Sequence, residues 1–398
     1  MQRVYLDNNA TTRPDDAVAA AVDTAMRDFW ANPSSVHRFG QEVRQRVELA
    51  RRAVADLVGA PARGLVLTSG GTEANTLALR GVLEPAAGRG TLITTAIEHA
   101  AVREPAEALA KAGVRLIDLP LSRGGAVDPA DLTAALQGVE AGPVLVSVMW
   151  ANNETGVIQP IAELAAAVDA ARRAQAAAGQ RPQIWLHTDA TQAVGKLPVD
   201  VKAAGADLLT LAAHKLHGPK GVGGLVVGPG VRLSPVQRGG PQERERRGGT
   251  ENVPAVVGFV VAAQLAAEFV ADTDQVARQQ ALRDRLEARV RAAVPAVVVN
   301  GAGAPRLWNT TNLGFRGLLA EAILLGLSER GVCASAGAAC SSGSLEPSAV
   351  LRAMGIDEAV AHGSVRLSLS RQTTEPEVDA AADALIAVVE RLGRVMPV

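Results

Sequence analysis

The chain has 398 residues, of which 48% are hydrophobic and 20% charged, a composition typical of an ordinary globular protein. A net charge of −1 and an aromatic content of 3% argue against binding to nucleic acid or anionic lipid, and only two cysteines argue against a disulfide framework. Because a chain of this length exceeds the size at which a single core stops growing, we predict two domains.

The first twelve residues, MQRVYLDNNATT, lack the basic stretch and apolar stretch of a secretory signal. The longest apolar run, around Val256–Ala267, is shorter than the roughly 20 residues that span a bilayer, and it contains Gln264. It is therefore predicted to be a helix of the protein core. We expect a cytoplasmic protein with reduced thiols and no membrane partner.

Short apolar runs bounded by glycine, proline or charge predict strands between residues 61 and 228. In chain order these are Leu65–Thr68, Thr91–Thr95, Val114–Leu119, Val144–Met149, Ile184–His187, Leu208–Leu211 and Gly224–Val227. Helices are predicted between several of them, at Glu73–Leu83, Ala101–Ala112 and Ile161–Ala178. This alternation predicts an α/β fold with a largely parallel sheet buried on both faces. Ligands of such sheets bind outside the carboxyl ends of the strands.

The pattern changes after Gly228. The features that follow are a charged loop at Gly239–Thr250, a helical region to about Val290, a strand at Val297–Asn300, a segment rich in Gly, Ala and Ser at Ala334–Ser344, and a strand at Val365–Ser370. We predict a second, smaller α+β domain that one long helix joins to the first. The large domain is assigned to residues 15–255, and the small domain to residues 1–14 together with 256–398.

Lys215 follows a predicted strand and precedes a Gly-Pro turn, which is an unusual place for a solvated charge. Burial would lower the pKa of such a lysine and provide the neutral amine that a Schiff base requires. A surface lysine entering a turn has the same pattern.

Asp189 ends another apolar run and is expected at the same edge of the sheet. There it would keep the ring nitrogen of pyridoxal phosphate (PLP) protonated, although a helix N-cap fits equally well.

Other polar residues also follow predicted strands. Gly71 and Thr72 open a helix, whose free N–H groups could bind a phosphate, although an ordinary capped helix start looks the same. His99 could stack on a cofactor ring or move a proton, but a structural histidine is the more common outcome. Asn152 and Asn153 could form a turn or bind the phenolic oxygen of the ring.

Cys340 lies in a segment of small residues without apolar periodicity, which predicts a mobile loop. A thiolate on such a loop could attack a substrate in the site and then carry the product outward. The alternative for any single cysteine is a small buried hydrophobic residue. We favour that alternative for Cys333, which follows the apolar region Leu324–Leu327.

Seven segments together resemble the NifS/IscS-type cysteine desulfurases, which are PLP enzymes of fold type I in the class V aminotransferase group. They are YLDNNATT (5–12), NPSSVH (32–37), TSGGTEAN (68–75), NNETG (152–156), DATQ (189–192), HKLHGPKG (214–221) and ACSSGSLEPS (339–348). The match runs in order along nearly the whole chain. It implies a PLP-dependent transferase fold with a mainly parallel seven-stranded sheet.

The resemblance implies roles for the matched catalytic positions. Lys215 would carry PLP, Cys340 would take the sulfur, and His99 would stack on the ring and act as acid or base. Arg366 would bind the substrate carboxylate bidentately. Without the resemblance, we would interpret Arg366 as a surface arginine at the end of a strand.

The resemblance also implies which residues bind the cofactor. Asp189 would pair with the ring nitrogen. The residues implied near the phenolic oxygen are Gln192 and Asn153, the latter also beside the substrate, and those implied at the phosphate are Gly71, Thr72, His214 and, from the other subunit, Thr250.

The implied reaction removes sulfur from L-cysteine, leaving alanine and a persulfide on Cys340. The persulfide would pass to an acceptor or scaffold protein for iron–sulfur cluster assembly or thiolation. A homodimer with shared sites is expected. No resident metal is expected, although Cys340 would contact an iron–sulfur cluster transiently.

One position departs from the family pattern, since Ala212 stands where the family usually has a serine that bonds the phosphate. Losing this bond predicts weaker retention of PLP.

Two alternatives stay open: a selenocysteine lyase or another enzyme of the class V aminotransferase fold, and a PLP-fold protein that has become a regulatory or binding module. Cys340 argues against amino-group transfer, and the combination of Lys215, Asp189 and Cys340 argues against the binding module.

Overall fold

The computed structural model describes residues 3–139, 142–336 and 346–395. The strands in these ranges are β1 (Val4–Tyr5), β2 (Leu65–Thr68), β3 (Thr91–Thr95), β4 (Arg115–Leu119), β5 (Val144–Ser147), β6 (Ile184–Asp189), β7 (Leu208–Ala212), β8 (Gly223–Val227), β9 (Val298–Val299), β10 (Thr310–Gly314), β11 (Val332–Cys333) and β12 (Ser364–Ser368). The α-helices are α1 (Asp16–Asp28), α2 (Arg38–Asp56), α3 (Gly71–Leu83), α4 (Ala100–Lys111), α5 (Pro129–Gln137), α6 (Ile161–Ala177), α7 (Val253–Ala271), α8 (Thr273–Ala293), α9 (Ala320–Glu329), α10 (Ala349–Ala353), α11 (Glu358–Ala361) and α12 (Glu375–Val395).

The larger sheet has seven strands in the order β2-β8-β7-β6-β5-β3-β4. β8 runs antiparallel to both of its neighbours, and the remaining adjacent pairs are parallel. Every residue of β2, β3 and β5 is buried, because helices cover both faces of such a sheet. The predicted α/β fold with a mainly parallel seven-stranded sheet is therefore confirmed.

The strand order reverses beside β3. The chain passes outward from β3 to β4 and then returns to pair β5 with the opposite side of β3. The segments that leave β3 and β5 therefore diverge and open a crevice at the carboxyl ends of the strands. His99 follows β3 and Asn153 follows β5, so both lie at this switch point.

The remaining strands form two smaller sheets. β12, β10 and β9 make a three-stranded antiparallel sheet, and β1 pairs in parallel with β11. Val4 and Leu6 pack in the same hydrophobic core as Leu313 and Leu367, so the start of the chain joins its C-terminal part. The division into residues 15–255 and the rest stays a prediction.

The prediction of one long helix after the charged loop is wrong, because α7 and α8 are separate helices. The side chain of Asp272 accepts a hydrogen bond from the backbone N–H of Gln275, while its own N–H donates to the carbonyls of Glu268 and Phe269. One residue thus ends α7 and begins α8. Asp is among the residues favoured at such N-caps.

α7 is apolar enough by length and composition to cross a bilayer, with 19 residues and a mean hydropathy of 1.9. Half of it is buried within the protein, however, and it packs against α1 and α2. Val256 and Phe259 lie in the hydrophobic core on the side of the large sheet, and Phe269 lies in the core of the C-terminal part. α7 is thus a core helix, as the sequence indicates.

Candidate active site

A cavity of about 990 Å³ lies at the carboxyl ends of β3, β5, β6 and β7. Most of the residues singled out in the sequence line it: Gly71, Thr72, His99, Asn153, Asp189, Gln192, His214, Lys215 and Arg366. They come from segments far apart in the chain. The large sheet brings most of them together because their motifs lie at the ends of its strands, and Arg366 reaches the cavity from β12 of the three-stranded sheet. The volume lies at the upper end of the range typical of small-molecule sites.

Lys215 ends the short 3₁₀ turn Ala213–Lys215 that directly follows β7. It is partly buried, and its Nζ donates to the carbonyl oxygens of Asn9 and Ala10, at 2.6 and 2.8 Å. The alternative of a lysine on the solvent face is thus excluded. The N-terminal segment, which the sequence analysis gave no role in the site, holds this amine.

Asp189 is the last residue of β6 and is only 7% exposed. Its Oδ2 accepts from Nδ2 of Asn75 at 2.7 Å, and its Oδ1 accepts from the backbone N–H of Thr191 at 2.9 Å. The sequence did not identify Asn75 as a site residue, although it lies in the glycine motif. Oδ1 of Asn75 is buried without a partner among the described residues.

His99 is the N-cap of α4, and its Nδ1 accepts from the backbone N–H of Ala101 at 3.1 Å. The proton of the neutral ring therefore lies on Nε2. Burial holds the pKa of His99 below its ordinary value; the carboxylate of Asp189 partly offsets this effect, and the charge of Lys215 adds a smaller lowering. His99 thus caps a helix and lines the cavity at once.

The first turn of α3 forms one wall of the cavity. Its N-cap, Gly70, has no side chain to bind the N–H groups of this turn. A Cβ built on Gly71 would lie 3.3 Å from Oγ1 of Thr191 and 3.7 Å from Cβ of Ala212. A side chain at Gly71 would therefore require a small shift of the Thr191 hydroxyl, which is buried without a partner among the described residues.

His214 and Ala212 flank the same wall. Nδ1 of His214 lies 3.2 Å from the hydroxyl of Thr11, and burial, followed by the charges of Lys215 and Lys220, lowers its pKa to about 4. The ring is therefore neutral at pH 7. Ala212, which ends β7, is 1% exposed and presents only its methyl group to the cavity.

Arg366 lies in the middle of β12 and is 2% exposed, so the interpretation as a surface arginine at a strand end is wrong. Its Nη2 donates to Oδ1 of Asp7 at 2.6 Å, and its Nη1 to the carbonyl of Asn153 at 3.0 Å. The buried Nε has no partner among the described residues. Nε and one hydrogen on each of Nη1 and Nη2 therefore remain, and a carboxylate can bind two of these N–H groups.

Glu98 is a cavity residue that sequence reasoning missed, although it directly precedes His99. Its Oε1 accepts from the hydroxyl of Thr95 at 2.9 Å and from the N–H of Met149 at 2.8 Å. Burial raises the pKa of Glu98 to about 8. It is therefore a neutral acid at pH 7.

Cys340 lies outside the described residues. The residues that flank it in the sequence contact the cavity wall: the backbone of Ser335 pairs with that of Arg366, and the hydroxyl of Ser348 donates to Glu154 at 2.5 Å. Cys333, for which a buried site was predicted, is partly buried in β11.

Thr250 does not line the large cavity. It lies on a smaller cavity of about 220 Å³, together with Thr68, Arg247 and Asn252. Its expected role concerns the site of another subunit, so its position in one chain leaves that role a prediction.

Comparison with known proteins places this architecture in a family. The model of the class-V aminotransferases matches residues 4–381. Cysteine desulfurase 2 of Trichormus variabilis is 46% identical over 397 residues, which cover 100% of this chain and 96% of that protein. A solved NifS-like protein has a TM-score of 0.88 at 33% identity, covering 98% of this chain and 100% of its own. The structure of SspA in complex with cysteine has a TM-score of 0.78 at 28% identity, covering 94% and 100%.

Proposed function

This chain belongs to the class-V aminotransferase family, and on that basis we propose that it is a PLP-dependent cysteine desulfurase that converts L-cysteine to L-alanine and passes on the sulfur. One observation carries the proposal: Lys215, Asp189 and Arg366 line a single cavity. The full-length similarity to a named cysteine desulfurase supports the reaction, and the cysteine bound to a similar structure supports the substrate.

The residues of the cavity fit PLP. Lys215 offers an amine and Asp189 a carboxylate for the ring nitrogen, while the first turn of α3 has no side-chain cap and can bind a phosphate. Thr72 and His214 would bind the same phosphate, and Gln192 and Asn153 would lie near the phenolic oxygen. Bound PLP supplies a protonated pyridine ring that withdraws electrons from the Cα of the substrate.

Three side chains of the cavity would have separate roles in the reaction. Arg366 binds the substrate carboxylate through N–H groups that Asp7 and the carbonyl of Asn153 leave unused, the Nε–H among them. The amine of Lys215 takes the proton from Cα. His99 presents the N–H of Nε2, which makes it a proton donor on the cavity wall.

Cys340 performs the sulfur step. Its thiolate attacks the substrate sulfur, an S–S bond forms, and the Cβ–S bond breaks with its electron pair remaining on carbon. That carbon takes up a proton and leaves as alanine, while the sulfur remains on Cys340 as a persulfide. Anchoring of Ser335 and Ser348 at the cavity supports this role, since Cys340 lies between them in the sequence.

The working unit is proposed to be a homodimer in the cytoplasm. Trp30 and Val36 are 73% and 93% exposed, and large apolar side chains that face water support an interface with a second copy. In the dimer, Thr250 would complete the phosphate site of the partner subunit. The sulfur would go to an acceptor protein of iron–sulfur assembly or of thiolation.

Mass spectrometry of the protein after brief exposure to L-cysteine tests this function. The wild type and the control Cys333→Ser should each gain the mass of one sulfur atom, and Cys340→Ser should not. Sulfide release with dithiothreitol present should be lost only in Cys340→Ser. Wild-type sulfide release by Cys340→Ser would overturn the assignment, and turnover restricted to L-selenocysteine would identify a selenocysteine lyase.

A further inference from the structure

Lys196 is a buried lysine outside the cavity lining, four residues after Gln192 in the chain. It is 6% exposed, and its Nζ donates to Oε1 of Gln192 at 2.7 Å and to the backbone carbonyl of Gln192 at 3.1 Å. Its own carbonyl accepts from Nε1 of Trp308 at 3.0 Å. Lys196 therefore lies directly behind a residue that faces the cavity.

Among the residues that the structure describes, none gives Lys196 a counter-charge. The charged or titratable side chains that act on it, or on which it acts, are all basic: Lys215, Arg366, His214 and His217. Within the described residues it makes no ion pair with a carboxylate. Burial, and then the charges of Lys215 and Arg366, lower its pKa to about 7. Burying an amine without a counter-charge is costly. The presence of a lysine at this position, hydrogen-bonded only to Gln192 in the described residues, therefore calls for an explanation.

The contact decides which way the Gln192 amide faces. An amide oxygen and nitrogen can usually exchange places, but a protonated lysine can only donate hydrogen bonds, and the carbonyl of Asn9 on the other side of the amide can only accept one. Oε1 must therefore face Lys196, and the NH₂ group must face the other way. One N–H donates to the carbonyl of Asn9 at 2.9 Å, and the second remains for a ligand of the cavity.

We propose that Lys196 is a positioning residue that fixes the Gln192 amide so that its NH₂ group donates to the phenolic oxygen of PLP. This inference rests on the proposed function. A flipped amide would place the lone pairs of Oε1 against an anionic oxygen, and a rotating amide would lose most of the bond. Lys196 thus contributes to cofactor binding without touching the cofactor.

Lys196→Met tests the proposal, because it removes the donor at nearly the same side-chain length. The dissociation constant of PLP should rise about tenfold to a hundredfold, the effect of one hydrogen bond to a charged group. The visible absorbance band of the bound cofactor should shift, and the pH midpoint of that band should rise because a positive charge is lost. In a Gln192→Met background the same change should have little further effect on PLP affinity.

Gln192→Glu is the second variant, and it keeps the fold because the new carboxylate forms an ion pair with Lys196. A carboxylate cannot donate to the phenolic oxygen, so PLP should bind at least about tenfold more weakly. Wild-type affinity and absorbance in either variant, or an equal effect of Lys196→Met with and without Gln192, would overturn the inference. If circular dichroism shows that Lys196→Met does not fold, wild-type PLP affinity of Gln192→Glu still overturns the inference, because the inference requires the Gln192 amide to donate to the cofactor. Persulfide formation by the wild type is measured separately, so failure of the proposed function is distinguishable.

Discussion

Glu98 offers the most direct test of the electrostatics of the cavity. The residue is 5% exposed, and burial raises its pKa from 4.5 to about 8. Its Oε1 accepts two hydrogen bonds, from Thr95 and Met149, and its Oε2 has no partner among the described residues. Glu98→Gln keeps the accepting oxygen and replaces the protonated oxygen with an NH₂ group of similar size. The substitution therefore removes the titration and little else.

The size of the expected change in unfolding free energy follows from the linkage between proton binding and folding. A raised folded-state pKa means that the stability contributed by Glu98 is fully present below pH 4.5 and is lost as pH rises toward 8, because the unfolded chain releases its proton first. Each pH unit in this window costs about 1.4 kcal/mol. The unfolding free energy of Glu98→Gln relative to wild type should therefore grow from about 1 kcal/mol at pH 5 to about 3 kcal/mol at pH 7.

Urea unfolding of the PLP-loaded protein, at fixed protein concentration and at several pH values, measures this difference. Glu98→Ala is the matched control: it also removes the titration, so its stability relative to wild type should rise with pH by the same amount, but from a lower value at pH 5, because both accepted bonds are lost and a cavity is left. A stability difference between Glu98→Gln and wild type that does not change with pH would refute a neutral Glu98. So would a Glu98→Gln protein that is less stable than wild type at pH 7.

Three further substitutions test other contacts. Glu243→Ala should lower the unfolding free energy by about 3–5 kcal/mol in urea unfolding, because it leaves Arg51 buried without the carboxylate that now binds it at 2.5 and 2.8 Å. Ala212→Ser should tighten PLP binding roughly tenfold to a hundredfold when apoenzyme is titrated, because it adds a hydroxyl beside the proposed phosphate site. Arg366→Lys should raise the KM for L-cysteine about tenfold or more while PLP absorbance stays unchanged, because lysine cannot bind a carboxylate bidentately.

Each of these three predictions would be contradicted by a specific result. Glu48 also contacts Arg51, at 3.2 Å, but its side chain is 49% exposed, so Glu48→Ala should cost less than about 1 kcal/mol. An equal loss in Glu48→Ala and Glu243→Ala would show that burial does not set the cost. Unchanged PLP affinity in Ala212→Ser removes the argument from the missing hydroxyl. An unchanged KM in Arg366→Lys would move the substrate carboxylate elsewhere.

The large sheet could be predicted because its strands are buried on both faces. Such strands are short apolar runs bounded by turn residues, and all seven predicted runs are strands, with ends shifted by no more than two residues. β5 stops at Ser147, before the predicted Met149, and β6 continues to Asp189. Two-residue strands such as β1 and β11 carry no periodicity, so pattern analysis missed them.

The site could be predicted in part, because its motifs follow strand ends that the sheet brings together. Contacts between distant segments were not predictable. Asn9 binds Lys215 from 206 positions away through its backbone carbonyl, a group that every residue has. The burial of Arg366 depends on Asp7, which lies at the other end of the chain. No local pattern distinguishes such an arginine from one at the surface.

The buried histidine beneath Asp189 leaves the Asp189 carboxylate available for its proposed contact with the ring nitrogen of PLP. His187 lies two residues earlier in β6, on the same face, between the hydroxyls of Ser147 and Thr210 at 2.8 and 3.1 Å. Burial lowers the pKa of His187 to about 4, so the ring is neutral at pH 7. The carboxylate of Asp189 is then held by an amide and a backbone N–H and not by an imidazolium. Its charge therefore remains for the protonated ring nitrogen that we propose it binds.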